Sequence, residues 1–134
     1  MNEHSFSAKI IKKCREQGIV KAWKINDNFA GGVPDAWFLG NKSDMWVEFK
    51  WLNALPKRES TIIKPALSAL QLSWLKAVHA CGRKCLVVIG YPKGAFIFCS
   101  PELWEHGASQ EDIGEYVYSH NQLVKTLLLH TMLE

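Results

Sequence analysis

Several things are missing from this chain of 134 residues, and each absence narrows what it can be. No apolar run approaches the ~18 residues of a membrane span; the longest, "CLVVIGY", has strand length. The opening stretch "MNEHSFSAKIIKKC" lacks the apolar core and small-residue cleavage site of a secretion signal, so a cytoplasmic protein is expected, with no membrane partner. The four cysteines form no CxxC pair, and His79 near Cys81 is the sole hint of zinc spacing. Cys14, Cys81, Cys85 and Cys99 are therefore expected to be reduced thiols filling the core. Repeats and low-complexity tracts are absent as well. Positive charge is nearly missing from the last quarter, where Lys125 faces six acids.

What is present is a core and a basic body. Hydrophobic residues make up 48% of the chain and six are Trp, enough for one packed domain of this length. Residues 1–100 carry 15 Lys and Arg against 7 Asp and Glu, a surplus that suits a polyanionic partner.

The pattern of elements points to α/β organisation. Residues 3–17 read as an amphipathic helix with Phe6, Ile10, Ile11 and Cys14 on one face, closed by Gly18. Strands are expected over 19–25, 34–40 and 45–52, with turn chemistry at 26–32 and a hairpin loop at 40–44. Residues 53–66 read as a loop carrying Lys57, Arg58 and Lys64. A helix starts near Ser68 and ends at Gly82; two further strands span 85–91 and 95–100. Ser100 and Pro101 then open a helix, and capping patterns at Ser109/Asp112 and Ser119/Gln122 open one or two more within 109–132. Joining the third and fourth strands through a helix makes them parallel, so a mixed sheet is expected.

Three charges stand where this pattern calls for core. Along "MWVEFKWL", Trp46, Glu48 and Lys50 share one strand face, and Val47, Phe49 and Trp51 share the other. Counted from a hairpin centre near residue 42, Asp35 falls close to the same rung as Glu48 and Lys50. Two carboxylates this close repel each other, and burial aggravates the conflict. A hard divalent cation resolves it. With Lys50 beside the cation, the trio could hydrolyse a phosphodiester, the metal polarising the phosphate and acidifying a water. The simpler alternative is an ion pair on a solvated sheet face.

"GVPD" (32–35), "EFK" (48–50) and "SALQ" (68–71), the last running into Trp74 and Leu75, resemble the PD-(D/E)xK nuclease superfamily, and within it the VRR-NUC group of phage and repair nucleases. The likeness covers residues 3 to about 98. It implies a restriction-endonuclease-like fold, α/β with a mixed sheet (αβββαβ core), over residues 1–100. Residues 101–134 would form a C-terminal helical extension packed on the same domain.

The resemblance also implies Mg²⁺- or Mn²⁺-dependent cleavage of DNA, structure-selective for branched, flap or junction DNA, in phage replication, recombination or repair. Asp35 and Glu48 would hold the metal, with the Phe49 carbonyl and Glu3 as further ligands; Lys50 would be the catalytic lysine and Gln71 the motif glutamine. Other readings stay open for some of these. Gln71 could be the capping partner of Ser68, Glu3 a complement to its helix N-terminus, and Gly31 and Gly32 turn residues, or an opening through which a phosphate backbone approaches Asp35. Lys57, Arg58 and Lys64 are candidate phosphate contacts. A homodimer is expected, a larger replication or repair protein is a further candidate partner, and a phage-encoded copy would work in the host cytoplasm. The alternatives are a Holliday-junction resolvase and a catalytically silent binding module of the same fold.

Overall fold

The structure is a computed structural model that describes residues 1–26 and 31–132. The turn expected over 26–32 falls largely on residues 27–30, outside the described residues. Helix α1 (Glu3–Glu16) is opened by a capping box between Asn2 and Ser5, and it buries Phe6, Ile10, Ile11 and Cys14 as its periodicity requires. Strands β1 (Lys21–Lys24), β2 (Ala36–Leu39) and β3 (Asp44–Trp51) follow as an antiparallel meander. A loop containing the short strand β4 (Ile62–Ile63) leads to α2 (Ala69–Ala80), which returns the chain to β5 (Lys84–Tyr91). β5 lies parallel to β3, as a helical crossover dictates, and turns back into β6 (Gly94–Phe98). The five strands form one sheet in the order β1-β2-β3-β5-β6.

Two apolar layers hold helices to the sheet. On one side α1 and α5 (His120–His130) enclose Phe6, Ile10, Phe38, Val47, Phe49, Leu123 and Leu127. On the other, α2 and α3 (Pro101–His106) enclose Leu75, Val87, Ile89, Phe98 and Trp104. The side-chain alternation of β3 therefore holds: Val47 and Phe49 face α1, whereas Trp46 faces α2. Trp46 meets Trp74 of α2 edge-on at 5.2 Å. Trp37, Trp46 and Trp51 are half-buried.

Two expectations change. Only Cys14 and Cys85 are core thiols; Cys81, at the end of α2, and Cys99, just past β6, are exposed. Residues 53–66 are more than a loop, since β4 pairs antiparallel with β7 (Ala108–Ser109). A two-residue strand has no periodicity to read, and its partner lies some 46 residues away. Gly107 lets these strands meet: its φ is 72°, and a Cβ there would lie 2.2 Å from the Ile63 carbonyl oxygen. Next to β7, α4 (Gln110–Ile113) is capped by Ser109, and the Gln110 amide donates to the Pro56 carbonyl at 2.8 Å. Segment 107–113 thus pins the loop that leaves β3. No helix among the described residues is long and apolar enough to cross a membrane.

Candidate active site

The hairpin register sets the site. β2 and β3 pair as Ala36↔Val47 and Trp37↔Trp46, so the next step outward places Asp35 opposite Glu48 on the face that carries Trp46. The β2–β3 ladder stops at Ala36, and β3 runs four residues further. Asp35 fills that gap with its own groups. Its backbone N–H donates to Glu48 Oε1 at 3.2 Å, and its Oδ2 accepts the Phe49 N–H at 2.8 Å. The Phe49 carbonyl, on the same strand edge as that N–H, also faces the Asp35 side.

Gln71 makes a capping contact and a contact to the buried acid with one side chain. Its Oε1 accepts the Ser68 N–H at 2.9 Å while Ser68 Oγ accepts the Gln71 N–H at 3.1 Å, a complete capping box. That bond fixes the amide, so Nε2 turns to Glu48 Oε2 at 2.7 Å. Lys50 Nζ completes the group, 3.3 Å from Glu48 Oε2 and 3.4 Å from Gln71 Oε1. Through Gln71, the Ser68 cap also orients the buried acid.

Gly31 and Gly32 have φ of 69° and 75°, a region that favours glycine. A Cβ on Gly32 would lie 2.6 Å from the Leu70 carbonyl oxygen. The close approach that these glycines permit is to the first turn of α2, and it brings Asp35 and Gln71 to the same place.

The electrostatics reflect two carboxylates held close together out of water. Glu48 is 2% exposed. Burial, and then the nearby Asp35 charge, push its carboxyl up to about 8, with Lys50 opposing. Glu3, in the first turn of α1, is raised as well: partial dehydration is the main cause, Lys50 lowers it and Asp35 raises it. The first helix thus brings its acid within electrostatic range of the cluster. Among the described residues no three His, Cys, Asp or Glu side chains form a group that could hold a metal ion. The donor set still fits a hard divalent ion. Two carboxylates converge, and burial penalises the charge of one of them.

Lys57, Arg58 and Lys64 are all exposed on the loop that follows β3. Trp37 Nε1 donates to Asp44 Oδ2, and Arg83 pairs with Asp44 at 2.6 Å; this ties the hairpin's far end to the start of β5 and takes Asp44 out of the site.

No family model matches the chain, and no curated protein matches it. Among solved structures its fold is similar to that of Hjc from Archaeoglobus fulgidus, a Holliday junction resolvase from an archaeal hyperthermophile. The TM-score is 0.60 at 13% identity, over 90% of this chain and 98% of that one. The mixed five-stranded sheet with helices on both faces is the restriction-endonuclease-like fold.

Proposed function

We propose that the chain is a divalent-metal-dependent endonuclease of the PD-(D/E)xK type, cutting phosphodiester bonds in branched or junction DNA. The observation that carries this reading is the closed contact set of Asp35, Glu48, Lys50 and Gln71 at the end of a strand pair. An ion pair on a solvated face needs no second acid opposite the first. The fold likeness to a Holliday junction resolvase supports the substrate class. A junction presents equivalent strands to two active sites, which suits a homodimer. The narrower placement in the VRR-NUC group, and a role in phage replication, recombination or repair, rest on the sequence resemblance.

Asp35, Glu48 and the Phe49 carbonyl would hold Mg²⁺ or Mn²⁺, with Glu3 at the margin. The ion would supply positive charge to the phosphate and acidify a water. The protein's own groups do the positioning. Ser68 fixes the Gln71 amide, and Gln71 with the Asp35 N–H holds the Glu48 carboxylate from both sides. Lys50, only 14% exposed, keeps its ammonium where it can donate to a phosphate oxygen or the attacking water and offset charge in the transition state.

The test is purified protein with Mg²⁺ or Mn²⁺ on labelled linear, flap, splayed and four-way DNAs. Metal-dependent internal cuts in the branched substrates are expected. Binding without cleavage would instead identify a silent binding module.

The basic loop gives a separate expectation. Neutralising Lys57, Arg58 and Lys64 together should weaken DNA binding and reduce the slope of log K against log salt by about 2–3, at roughly 0.9 for each phosphate no longer neutralised. An unchanged slope would show that these charges face only solvent.

A further inference from the structure

A cavity of about 290 Å³ opens on the far side of β3 from the acids, lined by Met1, Lys9, Trp51, Asn53, Pro92 and His120. It borders the acid site through two elements. Trp51 directly follows Lys50, and the helix whose first turn bears Glu3 supplies Lys9. Both sites therefore adjoin the carboxyl-terminal half of the parallel strand β3.

The cavity holds a cation prepared for an anion. His120 Nε2 is 3.0 Å from the Tyr91 carbonyl and 3.1 Å from that of Gly94. Carbonyls only accept, so Nε2 carries the hydrogen. His120 Nδ1 is 3.0 Å from Lys9 Nζ, and an ammonium only donates, so Nδ1 accepts. A neutral imidazole thus fixes Lys9 without cancelling its charge. No carboxylate pairs with Lys9 among the described residues. Beside it the Trp51 indole is held by Phe6, at 5.3 Å between centroids, and by its N–H bond to Asn53 Oδ1 at 3.0 Å. A fixed aromatic plane next to a fixed, uncompensated ammonium matches the two parts of a nucleotide, base and phosphate.

We propose that this cavity is a second nucleotide subsite: Lys9 takes a phosphate of the DNA strand and Trp51 stacks a base, a short way along from the bond cut at Asp35 and Glu48. The proposal rests on the nuclease reading for the identity of the strand, but its binding test needs no cleavage. Equilibrium binding of a four-way DNA would be measured in EDTA for wild type, Lys9→Met and Lys9→Arg. One phosphate at a time would be replaced by an uncharged methylphosphonate. Lys9→Met should weaken binding about tenfold, the worth of one charge-assisted contact, and Lys9→Arg should recover most of it. One methylphosphonate position should weaken wild type by a similar factor and Lys9→Met not at all.

In a second arm, thymidine 3′,5′-bisphosphate should shift the Trp51 indole N–H resonance in wild type and not in Lys9→Met. A shift without the methylphosphonate effect would mark a site for free nucleotides and overturn the strand assignment. Identical methylphosphonate profiles in wild type and Lys9→Met would overturn the subsite while leaving the nuclease reading intact. A wild type that binds DNA with the expected profile but never cleaves would sink the nuclease reading and leave the subsite standing.

Discussion

Replacing Lys50 by Met should lower the rate of metal-dependent cleavage by about 10²–10³-fold, the usual cost of removing one preorganised charge from a transition state. DNA affinity should stay within about threefold, because one half-buried ammonium is a small part of a polyanion-binding surface. The two effects separate because Lys50 sits in the contact set, at hydrogen-bonding distance from Gln71 and ion-paired to Glu48, rather than on the exposed loop. Methionine keeps the length and apolar stem of the side chain, so the packing of that stem survives. Single-turnover rates and filter-binding constants on the same four-way DNA check this. A Lys50→Met enzyme cutting at the wild-type rate would remove the lysine from the chemistry.

In metal-free buffer, Glu48 should make the protein less stable as pH rises. Its carboxyl titrates near 4.5 in an unfolded chain and is held up to about 8 in the fold, first by burial and then by Asp35. Between those values the folded protein keeps a proton that the unfolded chain has released. Stability from this group is therefore full below about pH 4.5, falls through the window and levels off above about pH 8. The change is on the order of a few kcal/mol. Glu48→Gln has no such proton, so its melting temperature should lack this part of the decline. Its overall level should also drop, since the new amide N–H₂ would face the Gln71 and Lys50 donors in place of an acceptor. The slope between pH 5 and 8.5 separates the two effects. Parallel curves for wild type and Glu48→Gln would show that the Glu48 carboxyl is not raised.

Much of this site could be read from residue order because it depends on strand arithmetic. Period-two alternation put Glu48 and Lys50 on one face, and counting from the hairpin centre put Asp35 on their rung; the register Ala36↔Val47 agrees with both. Gln71 was legible twice over, since the capping pattern and the nuclease-like motif use the same residue, and the structure makes both contacts with one amide. What could not be read depends on contacts between distant segments. The pairing of Ile62 with Ser109, and the space at Gly107 that permits it, come from residues with no local pattern in common. The approach of Gly32 to Leu70 is of the same kind, invisible until α2 is placed. Exposure of Cys81 and Cys99 follows from where an element ends, and element ends are the least legible feature of any sequence. The Lys9–His120 contact joins residues 111 positions apart, and reading α1 alone leaves Lys9 an ordinary surface charge.

The most direct measurement is a thermal melt of wild type and Asp35→Asn across a manganese titration. Asparagine keeps an oxygen to accept the Phe49 N–H and loses the charge, so the fold is preserved while the pair of acids is broken. If Asp35 and Glu48 capture a divalent ion, the wild-type melting temperature climbs with the logarithm of manganese concentration, gaining about 2.7 kcal/mol at a hundredfold excess over the dissociation constant, and the variant stays flat. Equal shifts in both proteins, or none in either, would contradict it.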